Sequence, residues 1–179
     1  MTAYVAFLRA INVGGNNGLP MKKLVEIILE LGHGYVKTHL QSGNVVFSSD
    51  RVDERAISAE IAAAIEAQAG FRPAIMLRSR AEIEGVIAAN PLLTPEVNPA
   101  RMLTVFLQEK PAAEGIARLE PERFPNEKFA VVGREMYVLY DDGMGNSKFT
   151  PAYYERRLNV AGTGRNWNTV TKVLALMPS

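Results

Sequence analysis

Apolar residues run without alternation from Val5 through Leu8 and stop at Arg9, the pattern of an interior strand covered on both faces. Asn12, Gly14, Gly15, Asn16 and Asn17 then lead to Pro20, which suits the first turn of a helix because its missing N–H costs nothing there. Leu24, Ile27, Ile28 and Leu31 recur at helical spacing, and Gly32 ends the helix. Residues 35–40 and 45–49 predict two strands joined by Gln41, Ser42, Gly43 and Asn44, residue types that tolerate a tight hairpin. Residues 53–69 predict a helix with Ile57, Ile61 and Ile65 on one stripe, and residues 74–78 a short strand. The order is β-α-β-β-α-β, the ferredoxin-like pattern.

Ser79 and Glu82 predict a capping box for a helix running to Asn90. Prolines at 91, 95 and 99 then interrupt any helix, so the chain divides into a first half (1–90), a proline-rich connection (91–99) and a second half (100–179). The second half predicts a strand at 102–108, a short helix after Pro111 and a hairpin of 129–132 with 135–140 across Gly133 and Arg134. A helix follows from Pro151 to near Leu158, and a last one after Thr163, Gly164, Arg165 and Asn166. The second half is thus expected to repeat β-α-β-β-α and to replace the closing strand by a helix. The expected class is α+β: two ferredoxin-like halves, each an antiparallel sheet with helices packed on it.

At 179 residues a core forms without a metal or disulfide staple. The net charge of +1 gives no global field toward nucleic acid or membrane. The absence of cysteine excludes disulfides, zinc–thiolate sites and cysteine nucleophiles and suits the cytosol. No apolar run approaches membrane-spanning length. The expectation is a cytoplasmic protein with no membrane association, no cofactor and no metal.

Three stretches, FLRAINVGG (7–15), LQSGNVVF (40–47) and TGRNWNTVTK (163–172), resemble in order and spacing the bacterial family known as domain of unknown function 1697. The resemblance runs through essentially the whole chain and implies two ferredoxin-like halves and no particular activity. Ala10 departs from it where a glycine is common, and Asn16 where a lysine often follows the paired glycines.

Candidate chemistry collects in these stretches. Gly14 and Gly15 can present backbone N–H groups to an anion, with the helix after Pro20 adding its positive end; the alternative is a connection whose glycines need positive φ. Because the first strand is central in this topology, Asn44 approaches Arg9 or Asn12, and Gln41 and Ser42 come with it. Thr163, Asn166 and Asn168 can cap the last helix. Arg165 offers a planar fork for carboxylate or phosphate, or else pairs internally with an acid such as Asp141. Trp167 either flanks the site or anchors the core. From residue 143 onward Lys148, Arg156, Arg157, Arg165 and Lys172 face a single acid, Glu155. His33, between two glycines, is expected at the surface or as a helix cap, and Asp141 and Asp142 as turn residues.

The leading expectation is a binding domain in which Arg9, Asn12, Asn44, Lys148, Arg165 and Asn166 converge on an anionic small molecule (a nucleotide or phosphorylated metabolite) or a nucleic-acid phosphate. The alternatives are a transferase or hydrolase using Lys148 or Asp142 at the same cleft, and a structural or protein-interaction module in which Arg165 is enclosed and paired.

Overall fold

The computed structural model describes all residues 1–179. They form two compact units: unit 1 is Met1–Gly85 with Thr171–Ser179, and unit 2 is Val86–Val170.

Unit 1 runs β1 (Thr2–Leu8), α1 (Met21–Glu30), β2 (Gly34–His39), β3 (Asn44–Ser49), α2 (Glu54–Ala69), β4 (Ile75–Ser79) and the start of α3 (Arg80–Ala88). Its antiparallel sheet has the order β2-β3-β1-β4, with Phe7 opposite Asn44 and Leu8 opposite Ile75. Tyr4, Ala6 and Leu8 join Leu24, Ile27 and Ile28 of α1 and Ile57, Ile61 and Ile65 of α2 in one core. Each fully buried aliphatic side chain there contributes about 1.5–3 kcal/mol. Val5 and Phe7, on the other face of β1, are also fully buried, which is why four apolar residues stand in a row. The Asp53 carboxylate accepts from the N–H groups of Arg55 and Ala56 and caps α2, and Gly70 closes it in the left-handed region. The predicted capping box is present: Ser79 N–H donates to Glu82 Oε2 at 2.8 Å, and Glu82 N–H to Ser79 Oγ at 3.3 Å.

Unit 2 runs β5 (Met102–Leu107), α4 (Ala113–Ala117), β6 (Glu127–Val132), β7 (Glu135–Tyr140), α5 (Pro151–Leu158), β8 (Gly162–Asn166) and the start of α6 (Trp167–Leu176), with 3-10 turns at Pro99–Arg101 and Pro121–Arg123. Its sheet order is β6-β7-β5-β8, the same arrangement as unit 1. This corrects one expectation: the closing strand is not replaced by a helix. β8 forms first and α6 follows it directly. Glycine is required at two of its positions because β5 side chains cross over them. A Cβ on Gly162 would lie 2.8 Å from Val105 Cγ1, and one on Gly164 2.9 Å from Leu103 Cδ2. No helix is long and apolar enough to cross a membrane.

Candidate functional site

Five of the seven candidate residues of unit 1 (Arg9, Asn12, Gln41, Ser42 and Asn44) meet at one corner, where β1 leaves the sheet beside the β2–β3 turn, and Gly14 and Gly15 extend from it. Leu8 N–H donates to the Gly43 carbonyl, and Arg9 N–H to the Ala74 carbonyl, both at 2.9 Å. Arg9 is therefore fixed at the strand's exit, half-buried. Asn12 is the brace of the corner. Its amide nitrogen donates to the Leu19 carbonyl at 2.9 Å and the Gln41 carbonyl at 2.7 Å, while its oxygen accepts from Leu19 N–H at 2.7 Å. One side chain thus ties together the exit of β1, the approach to α1 and the hairpin turn, each bond contributing about 0.5–1.5 kcal/mol. Asn44, fully buried, donates to the His39 carbonyl at 2.8 Å and to Ser42 Oγ at 3.1 Å. Asn17 donates to the Ala10 carbonyl at 3.1 Å.

Gly14 and Gly15 form the tip of a small hairpin in which Val13 bridges Asn16. Their φ values of +58° and +77° are those demanded of the two central residues of a type I′ turn, so both glycines have a conformational reason to be there. Gly43 is required twice. Its φ is +85°, and an added Cβ would lie 2.6 Å from Ile11 Cδ1 and 2.9 Å from Leu8 Cβ.

Four further residues of this corner hold left-handed φ without being glycine: Ala10 (+53°), Asn12 (+53°), Asn17 (+51°) and Leu40 (+60°). The two asparagines tolerate this conformation through local hydrogen bonding. Leu40 was not singled out from sequence, and Ala10 only as a departure from the family pattern. For Ala10 the signal was available, because it stands where a glycine is common; for Leu40 there was none. Residues 9–20 and 40–44 contain no acid, and Lys22 and Lys23 follow in the first turn of α1. That helix has no side-chain cap at its N-terminus, so its first N–H groups add to a positive local field.

The remaining candidates lie in unit 2. Thr163, Arg165 and Asn166 lie on β8, with Gly164 between the first two, and Trp167 and Asn168 open α6. Arg165 is buried, with Nη1 donating to Thr163 Oγ1 at 2.6 Å and to the Gly164 carbonyl at 2.9 Å. Burial pushes its guanidinium down to about 10. Asp141, the acid considered as its partner, instead lies 3.9 Å from Lys128 and accepts from Arg101 through its main-chain carbonyl. Trp167 is buried. Asn166 caps the start of α6, its Oδ1 accepting from Asn168 N–H at 3.0 Å, while its amide donates to the Ala100 carbonyl at 2.9 Å. Lys148 is exposed in the loop that leaves β7. That loop and the β8–α6 junction lie at the same end of the sheet, the end where β5 begins.

The buried arginine of unit 2 has a counterpart. Arg78 is the fourth residue of β4 as Arg165 is of β8, it is buried still more fully, and its Nη1 donates to the carbonyl of the preceding Leu77 at 2.9 Å.

His33 meets one of its two expectations: its N–H donates to the Ile28 carbonyl at 3.4 Å, behind Gly32 in the left-handed region, and so caps the end of α1. Its side chain is buried rather than at the surface, the ring 4.9 Å from that of Phe47, with Nε2 3.3 Å from Arg51 Nη2. A guanidinium only donates, so Nε2 accepts and the ring proton sits on Nδ1. Burial, then the Arg51 charge, lowers its pKa against the opposing pull of Glu60. No group of three or more His, Asp or Glu side chains is placed to hold a metal ion.

No curated protein matches the chain. Among solved structures it is similar to the conserved bacterial protein SP0830 from Streptococcus pneumoniae, with a TM-score of 0.74 at 21% identity, covering 98% of each chain. At that identity the likeness shows a shared fold. The family model described as Protein of unknown function (DUF1697) matches residues 1–137, and on that match the chain belongs to this family.

Proposed function

We propose that the chain is a cytosolic binding protein for a small anionic ligand such as a nucleotide or phosphorylated metabolite, taken up at the corner where β1 meets the β2–β3 turn. Arg9, the Gly14–Gly15 tip, Gln41 and Ser42 face the ligand, and Asn12 and Asn44 position them. The observation that carries this reading is the concentration of left-handed residues at one corner, whose segments 9–20 and 40–44 contain no acid. Ala10, Asn12, Asn17 and Leu40 share it with three glycines. Backbone of this kind costs about 1–3 kcal/mol per residue, persists only where the surroundings enforce it, and gathers at ligand clamps. The positive start of α1 and the guanidinium of Arg9 select for negative charge. Lys148, Arg165 and Asn166 belong to unit 2 and have no part in this reading.

The test is calorimetric titration of the protein with ATP, inorganic phosphate and citrate at low and high salt. Saturable binding that Arg9→Glu weakens by at least about tenfold, a loss of one charge-assisted contact, supports the reading. Binding to none of the three, or binding that Arg9→Glu leaves intact in a folded variant, overturns it.

A further inference from the structure

A second positive site stands in unit 2, on residues outside that corner. Glu120 lies between α4 and the 3-10 turn Pro121–Arg123, with φ +50° and ψ +65°. That conformation breaks two local rules at once. A long side chain avoids the left-handed region, and a residue followed by proline is driven toward extended backbone. What holds it there is a ring of donors on one oxygen. Glu120 Oε2 accepts from Arg123 Nη1 at 2.9 Å and from Arg157 Nη2 at 3.1 Å, and the Tyr153 hydroxyl shares its one proton between this oxygen at 3.2 Å and the Leu119 carbonyl at 3.0 Å. The Arg157 guanidinium lies over the Tyr153 ring, 4.7 Å from its centre, and Arg123 stands 5.8 Å from the same ring. Arg118 crosses from the end of α4: its Nη2 donates to the Arg157 carbonyl at 3.3 Å, and its own carbonyl accepts from Arg157 Nε at 3.0 Å.

Charge does not balance in this group. Glu155 on α5 accepts from Gly162 N–H, and the arginines form ion pairs with Glu120 and not with the neighbouring Glu122. One carboxylate therefore meets Arg123 and Arg157, with Arg118 alongside. Each guanidinium has five N–H donors, and these bonds use one from Arg118, one from Arg123 and two from Arg157. The arginine pull holds the Glu120 carboxyl below its ordinary range, Arg123 first and Arg157 next.

We infer that Arg118, Arg123 and Arg157 form a receptor for a phosphate monoester dianion, in which Glu120 is the resident anion that the ligand displaces. A tetrahedral phosphate presents several oxygens to forks arriving from three elements, whereas Glu120 engages its arginines through a single oxygen. Arginine forks match phosphate geometry in paired hydrogen bonds. Displacement also frees residue 120 to take the extended backbone that Pro121 prefers.

The probe is inorganic phosphate at constant ionic strength, followed through the arginine Nε–Hε resonances, which assign binding to individual side chains. Saturable shifts are expected at Arg123 and Arg157. Arg123→Ala, exposed and bonded only to Glu120, should weaken phosphate by about fivefold or more, and Glu120→Gln should tighten it by a similar factor. Shifts that chloride reproduces at matched ionic strength, or no saturation in either the natural protein or Glu120→Gln, would overturn the site. So would a Glu120→Gln variant that stays folded and binds phosphate more weakly, because Glu120 would then be a supporting residue and not a stand-in.

Discussion

The two units solve one topology with different amounts of chain. Each sheet places its first strand in the middle, pairs it with a hairpin strand on one side and closes with the last strand on the other. Each also buries an arginine at the fourth position of that last strand. They part company between the first strand and the first helix. Unit 1 uses residues 9–20 and then a full helix, α1, whereas unit 2 crosses with residues 108–112 to the short α4. Unit 2 demonstrates that the topology is satisfied by a brief link of ordinary geometry. The long link of unit 1 exceeds what the strand order requires: it packs Ile11 and Leu19 into the core and carries braced asparagines and left-handed residues besides. That added backbone is the place of the binding role proposed above.

Three perturbations sharpen that contrast. The largest effect is expected at the hairpin glycines. Gly43→Ala in unit 1 combines a left-handed backbone with a Cβ driven into Ile11 and Leu8, and should cost about 3 kcal/mol or more. Its counterpart Gly133, at φ +61°, has only Glu135 Oε2 near, at 4.0 Å, so Gly133→Ala should cost about 1 kcal/mol. Denaturant unfolding of the two variants side by side measures the difference, and equal losses would refute the account of a tightly packed corner in unit 1.

The second effect depends on pH and belongs to unit 1 alone, since both histidines lie there. With the folded-state pKa of His33 lowered, the unfolded chain binds the extra proton. Stability contributed by neutral His33 is therefore fully present above the unfolded value of about 6.5. It is lost as the pH falls below that and through the lowered folded value. His33→Gln, which retains an acceptor for Arg51, should flatten this part of the stability profile. An unchanged acid slope would show that the His33–Arg51 contact does not govern it. The smallest effect is a gain: Ala10→Gly relieves a left-handed alanine and should stabilise by up to about 1 kcal/mol, net of the chain entropy that glycine adds.

Much of the architecture was legible because local rules agreed with one another. The Ser79–Glu82 pair, the Ile57–Ile61–Ile65 stripe and the apolar run of β1 each announced an element that the structure contains. β8 escaped because Gly162-Thr163-Gly164-Arg165-Asn166 has almost no strand propensity. Its conformation is imposed by Val105 and Leu103 crossing above two missing side chains, and a sequence does not display the crossing. His33 misled for a related reason: two flanking glycines suggest exposure, while Phe47, far along the chain, covers the ring. At the β1 corner the residue types were readable but the division of labour was not. Asn12 and Asn44 turn inward to brace the backbone, and the left-handed twist of Leu40 leaves no trace in composition.

Unit 1 is also discontinuous along the chain, with residues 171–179 completing what residues 1–85 begin. Arg80 binds those late residues directly, its Nη1 donating to the carbonyls of Leu174 at 3.2 Å and Met177 at 2.9 Å. Translation proceeds at roughly 5–20 residues per second, so several seconds separate the synthesis of Gly85 from that of Thr171–Ser179, which carry most of α6. Unit 2, by contrast, is continuous in sequence, from Val86 to Val170.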